Sequence, residues 1–129
     1  VLLGRRDQGD GHVAVTIGPL KGSEEDRRQK AISLPETLID LYREGHRRPL
    51  PLPCETGYLW QRHGGADGEK AWFRARDEFQ GRFGDSNDPA HRMVLPEIVT
   101  FRDLQQTDFA DFCSRLWLPI LNASSEKRL

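Results

Sequence analysis

Lysine and cysteine are scarce in this chain, and each shortage argues against a class of chemistry. The four lysines are Lys21, Lys30, Lys70 and Lys127, and the residues two positions before them are Pro19, Arg28, Gly68 and Ser125. None is acidic, so the acidic-x-Lys pattern with which many nucleases hold a metal and steady developing charge is missing. The two cysteines, Cys54 and Cys113, form no CxxC and no cluster, which argues against a disulfide scaffold and against a zinc site. The four histidines, His12, His46, His63 and His91, stand alone, without HxH or HExxH spacing. Neither a phosphate-cradling glycine loop opening a helix nor a GxSxG elbow is present. The longest apolar runs, such as "LWLPIL", are far shorter than the roughly 20 residues of a membrane span, and no signal peptide is visible. Net charge is −1, so bulk charge does not draw the whole chain to nucleic acid or an anionic membrane.

What is present is a polar chain of 129 residues, 36% hydrophobic and 30% charged, with three Trp, two Tyr and six Phe to anchor a core. Its length predicts one domain. The apolar opening at Val1, without Met, reads as a fragment cut from a longer protein. Residues 1–121 are expected to form a single domain and residues 122–129 a polar tail.

The first twenty residues predict a β-hairpin that belongs to a larger sheet. Val13, Val15 and Ile17 alternate with Ala14 and Thr16, and Asp10-Gly11 is a turn signal. "KGSEEDRRQKAI" fits an exposed loop or the start of a helix. Ser33 and Glu36 stand three apart like a capping box, and Leu34, Leu38, Leu41 and Tyr42 recur at helical spacing, with Gly45 as a stop. Further helices are predicted around Tyr58–Trp60, around Ala71, Trp72, Ala75 and Phe79 with Asp67 as cap, and from Thr107 through Phe109, Phe112, Cys113, Leu116 and Trp117, limited by Pro119. Thr100 can cap a short turn, and "FGDSNDPAHRMVLP" reads as a loop. The fold class expected is α+β, a hairpin followed by several helices.

"RRPLPLPCETGYLW" raises a functional question. Prolines 49, 51 and 53 are two apart, whereas a PxxP ligand places them three apart. A stiff connector that tucks Leu50 and Leu52 into the core explains the run better than a docking peptide does. Its basic lead-in, Arg43, His46, Arg47 and Arg48, complements a helix C-terminus. The sharper alternative is contact with phosphate or with a partner protein, and these four are the candidate site residues. No residue is assigned a catalytic, metal-binding or cofactor-binding role.

The order of segments carries a resemblance. "LIDLYREGHRRPLPLPCETGYLW", "EKAWFRARDEF", "DPAHRMVL" and "FCSRLWLPIL", in that succession, resemble the C-terminal region of RecC, the gamma subunit of the bacterial RecBCD helicase–nuclease, exodeoxyribonuclease V. "LLGRR…VAVTIGPL" resembles the family's preceding strand pair, while "PEIVTFR" departs from any family pattern. The resemblance implies the C-terminal part of a restriction-endonuclease-like domain that has lost its catalytic residues. It implies a scaffold in double-strand break repair and recombination that supports subunit assembly and strand separation. RecB- and RecD-type subunits and double- and single-stranded DNA would be its partners. ATP and Mg would serve the parent complex and not this piece, and the location would be cytoplasmic. Two other readings stand beside it: a nucleic-acid-processing enzyme with an unrecognised site, and a small DNA-binding regulator.

Overall fold

The structure is a computed structural model that describes residues 2–5, 12–17 and 21–128, with side-chain surroundings for 21–124. Strand β1 (Leu2–Arg5) pairs antiparallel with β2 (His12–Ile17), in register from Leu2 opposite Val15 to Arg5 opposite His12. The predicted strand pairing is therefore present, while its Asp10-Gly11 turn lies outside the described residues. The other edge of β2 pairs antiparallel with β3 (Ser124–Arg128), from Val13 opposite Arg128 to Ile17 opposite Ser124. Residues 122–129 were expected as a polar tail. Instead, 122–123 end a helix and 124–128 form a strand. "SSEKR" carries no apolar alternation to announce a strand; the open backbone edge of β2 supplies its partner.

The α+β class, with its restriction-endonuclease-like domain, is corrected by the packed body. Within residues 21–123 every regular element is helical: α1 (Glu24–Gly45), α2 (Cys54–Arg62), α3 (Ala71–Gln80), α4 (Pro89–Val94), α5 (Phe101–Gln105) and α6 (Phe109–Ala123), with single 3₁₀ turns at Gly65–Asp67 and Asp85–Asn87. Among the described residues the core is Trp60, Ala71, Ala75, Phe79, Ile98, Phe101, Leu104, Phe109 and Cys113, with Leu52, Trp72, Leu95 and Trp117 packed around it. All of these lie on helices or the loops joining them.

Helix α1 starts ten residues before the Ser33 expected from the sequence. Ser23 caps it: its hydroxyl accepts from the Asp26 amide at 3.2 Å, and the Asp26 carboxylate accepts from the Ser23 amide at 3.2 Å. This is a capping box with Asp where the usual pattern has Glu or Gln. The charged stretch is thus a helix start, with Glu24, Glu25 and Asp26 against the positive end of the helix dipole. Ser33 is inside the helix, and its carbonyl accepts from the Thr37 hydroxyl at 3.0 Å. Pro35 removes one intrahelical donor without ending the helix. Gly45 is the last helical residue, as expected.

The other boundaries show the same mixture. Lys70, not Asp67, precedes α3, and no side chain caps it. The predicted loop 83–96 contains α4, which Asp88 caps by accepting from Ala90 N at 2.7 Å and His91 N at 3.4 Å, with Pro89 at the first position. Thr100 caps α5 in a box with Asp103, as anticipated. Thr107 accepts from the Phe109 amide at 3.2 Å and donates to Leu104 O at 2.6 Å, tying the end of α5 to the start of α6. Helix α6 runs through Pro119 to Ala123. In the connector, Leu52 packs against the core and Leu50 is half-buried beside Gly45, but Pro51 is buried as well, so prolines and leucines do not divide cleanly between two sides.

Ring packing fixes the helices relative to one another. Phe101, fully buried on α5, lies 5.9 Å from Trp60, 6.1 Å from Trp72, 6.4 Å from Phe79 and 5.8 Å from Phe109, centroid to centroid. Helix α2 crosses α6 at Gly57. A Cβ there would sit 3.0 Å from Trp117 Nε1 and 3.1 Å from Cys113 Sγ, so any larger residue would make both side chains give way by a few tenths of an ångström. Trp117, expected in the core, is half-buried, and its buried indole N–H finds no acceptor among the described residues.

A long-range cap completes the body. Pro53 precedes α2 and can offer no side-chain cap. The Asp85 carboxylate, from the loop after α3, accepts both Thr56 N at 2.9 Å and Thr56 Oγ1 at 2.7 Å. Thr56 is buried, so both of its donors are satisfied by this one carboxylate. Replacing Phe101 by Ala should cost about 3–5 kcal/mol in denaturant unfolding, because four neighbouring rings would face the cavity. Asp85→Ala should cost about 1–2 kcal/mol by the same measurement, through loss of a helix cap.

Candidate interaction site

The four candidate residues gather at the C-terminal end of α1, but they do not behave alike. Arg43 is exposed, with Asp40 Oδ1 3.7 Å away. His46 caps the helix through its amide, which donates to Tyr42 O at 3.2 Å, and its ring lies 4.3 Å from that of Tyr42. Arg47 is exposed and has no side-chain partner among the described residues. Arg48 turns inward along the surface. Its Nη2 donates to Glu44 Oε1 at 2.6 Å and to Asp108 Oδ2 at 2.9 Å, and its guanidinium lies 5.5 Å from the Phe112 ring centroid.

Arg48 therefore joins the end of α1 to the start of α6. Arg115 approaches the same junction from α6: it lies 3.8 Å from Glu44, 3.4 Å from Asp111 and 5.7 Å from the Phe112 centroid. Two guanidinium groups thus meet one buried aromatic ring, with carboxylates outside them. Unlike Arg47, Arg48 is already engaged by two carboxylates, those of Glu44 and Asp108. Sequence could not reveal this, since Asp108 is sixty residues away.

The "DPAHR" string has a local purpose. Asp88 caps α4 and Pro89 opens it. His91 Nε2 donates to Ile98 O at 2.8 Å while its ring stands edge-on to Phe79 at 5.3 Å. Arg92 bonds Ser86 O at 3.3 Å and the Asn87 side chain. His91 thus fastens the segment between α3 and α5 to the core, while Asp88, Pro89 and Arg92 order the loop itself.

Carboxylates also meet where α2 passes α3. Burial pushes the Glu78 carboxyl above its ordinary range, and hydrogen bonding and charge from Glu55, with charge from Asp85, push it the same way. Asp85 is itself occupied at Thr56. Across the helix pair, burial lowers the His63 pKa, helped by Arg74, Arg62 and Lys70, so the ring is neutral at pH 7. The Cys113 thiol is pushed up to about 12 by burial, which keeps it protonated and unreactive, while Cys54 is exposed. Among the described residues, no group of three or more His, Cys, Asp or Glu side chains could hold a metal ion, and no helix is long and apolar enough to cross a membrane.

Fold and polar clusters together define a helical packing domain, in which capping and helix-joining contacts occupy most of the strongly placed polar side chains. The comparisons with known proteins identify which one. Residues 11–65 match the model of the RecC C-terminal domain. The RecBCD enzyme subunit RecC of Mycolicibacterium smegmatis is 36% identical over 90% of this chain, and that of Mycobacterium tuberculosis is 30% identical over 95%. The chain belongs to the RecC C-terminal domain family. It spans only 12% and 13% of the length of those two relatives. No solved structure matches it.

Glu78 gives a pH signature whose sign is fixed. Its folded pKa lies above its unfolded value, so the folded state holds the proton more tightly. Its contribution is complete below the ordinary glutamate range and is lost as pH rises through the raised pKa. Glu78→Gln should therefore raise the melting temperature at pH 7 relative to the parent and lose that advantage at pH 4. Arg48→Ala and Asp108→Ala, combined in a double-mutant cycle of unfolding free energies, should show a coupling of no more than about 1 kcal/mol, as both groups are largely exposed.

Proposed function

We propose that this chain is a non-catalytic structural and interaction module of a RecBCD-type ATP-dependent helicase–nuclease, supporting subunit assembly and DNA strand separation in double-strand break repair. The observation that carries the reading is what the family-like strings do here. "DPAHR" clamps a loop, "CETGYLW" supplies Thr56, Gly57 and Trp60 to packing, and "FCSRLWLPIL" presents Phe112 and Cys113 to the interior. None of them gathers acid, base and nucleophile around one reacting position. The absent acidic-x-Lys pattern supports the same reading. In this reading RecB- and RecD-type subunits are the partners, DNA is met in the assembled complex, and ATP and Mg²⁺ serve the partner subunits.

The carboxylates offer the direct test. Glu55→Gln, Glu78→Gln and Asp85→Asn, made singly in the full subunit, should leave ATP-dependent nuclease activity of the assembled complex intact. Loss of a catalytic carboxylate would cost roughly 10²–10⁴-fold, and a drop of that size with assembly preserved would favour an enzyme site here.

The exposed Arg47 favours one addition, contact with phosphate. Replacing it with Ala should then flatten the salt dependence of DNA binding by the complex by up to about one counterion. An unchanged salt slope would return this residue to a solvated helix end.

A further inference from the structure

Helix α1 buries little of its apolar surface. Of its 22 residues only Leu41 is buried, with Leu34, Thr37 and Glu44 half-buried; Leu34 faces a groove of about 440 Å³ that Leu118 and Leu121 of α6 also line. Beside that stripe, on the outward side, lie Ala31, Pro35, Leu38 and Tyr42 at helical spacing, flanked by Ile32 and Ile39. Exposure is 57% for Ile32, 48% for Leu38, 48% for Ile39 and 66% for Tyr42. From Ile32 to Tyr42 the stripe runs about 15 Å along the axis. A continuous apolar strip of this kind marks an interaction surface more often than a solvated one.

The charges at the two ends say what fits there. Glu24 and Glu25 lie on this side at the N-terminal end, and Arg43 and His46 lie on it at the other. The ring contact between Tyr42 and His46 fixes His46 to the same face. Arg28 interrupts it near the start. Arg43 has only a distant carboxylate, and Arg47, just beyond, has no side-chain partner among the described residues. A second helix with acids in its first turn and bases in its last, the layout the helix dipole favours, complements these ends only when it runs antiparallel.

We propose that the Ile32–Tyr42 face of α1 docks an amphipathic helix of a partner subunit, antiparallel to α1, with acidic residues of its first turn against Arg43 and His46. The proposal rests on the assembly reading above and names the surface that does the assembling. Apolar ridges of the incoming helix would pack between Pro35, Leu38 and Tyr42, and the charged ends would set direction and register.

The test uses the full-length subunit and its purified partner subunits. Leu38→Asp and Tyr42→Asp, separately, should weaken association by roughly tenfold or more, and Arg43→Glu should weaken it in a salt-dependent way. The melting temperature of the free subunit should be unchanged, because the altered side chains are exposed before assembly. Phe83→Asp, at an exposed apolar residue away from α1, should leave association as it was.

Unchanged association in the α1 variants overturns the proposal. So does a lowered melting temperature of the free subunit, which would mean that the same polypeptide covers the face. Self-association of the free subunit that Leu38→Asp abolishes assigns the face to a second copy and also overturns it, as does an equal loss with Phe83→Asp. If the unaltered subunit joins no partner, the assembly reading itself fails; if it joins and the variants join equally well, only the α1 face is wrong.

Discussion

Phe101 sits on a helix of five residues, too short to persist in water, and rings from three other helices converge on it. Trp60 comes from α2, Trp72 and Phe79 from α3, and Phe109 from α6. Each ring meets Phe101 at a tilted or edge-on angle, the arrangement aromatic quadrupoles favour, so the contacts fix orientation as well as remove apolar surface from water. Without that convergence α5 has no reason to form, and the Thr100–Asp103 box would cap nothing.

Around this centre the polar groups are spent on joining elements. Asp85 caps a helix that Pro53 cannot cap, Thr107 couples α5 to α6, and His91 fastens the 89–98 segment by its ring and its Nε2. Arg48 and Arg115 meet at Phe112, where α1 joins α6. These contacts leave the C-terminal end of α1 anchored while its middle stays uncovered. The anchored end and the free apolar face are therefore consequences of one arrangement: the helix is held firmly enough to present a surface and not so broadly that the surface is lost.

That arrangement suits a domain built for packing. The perturbed groups have causes in their packing and their neighbours. Glu78 is raised by burial and by neighbouring carboxylates, His63 is lowered by burial and neighbouring cations, and Cys113 is silenced by burial alone. Electrostatic perturbation and function need not coincide, and in this molecule packing accounts for the perturbation.

The sequence by itself determined what local chemistry can dictate. Gly45 as a helix end, Thr100 as a cap, the shared face of Ala71, Ala75 and Phe79, the alternation in β2 and the order of family-like strings were all legible, since each depends on residues within a turn or two of one another. Tertiary structure decided the rest. "SSEKR" is a strand only because β2 offers an edge. Asp85 and Asp108 act on residues twenty-nine and sixty positions away. Leu38 and Tyr42 share a helical spacing with Leu34 and Leu41, and periodicity alone does not divide the four between a packed and an outward side. Which side of α1 meets α6, and which side faces outward, is settled by where α6 lies, and a one-dimensional pattern carries no record of that.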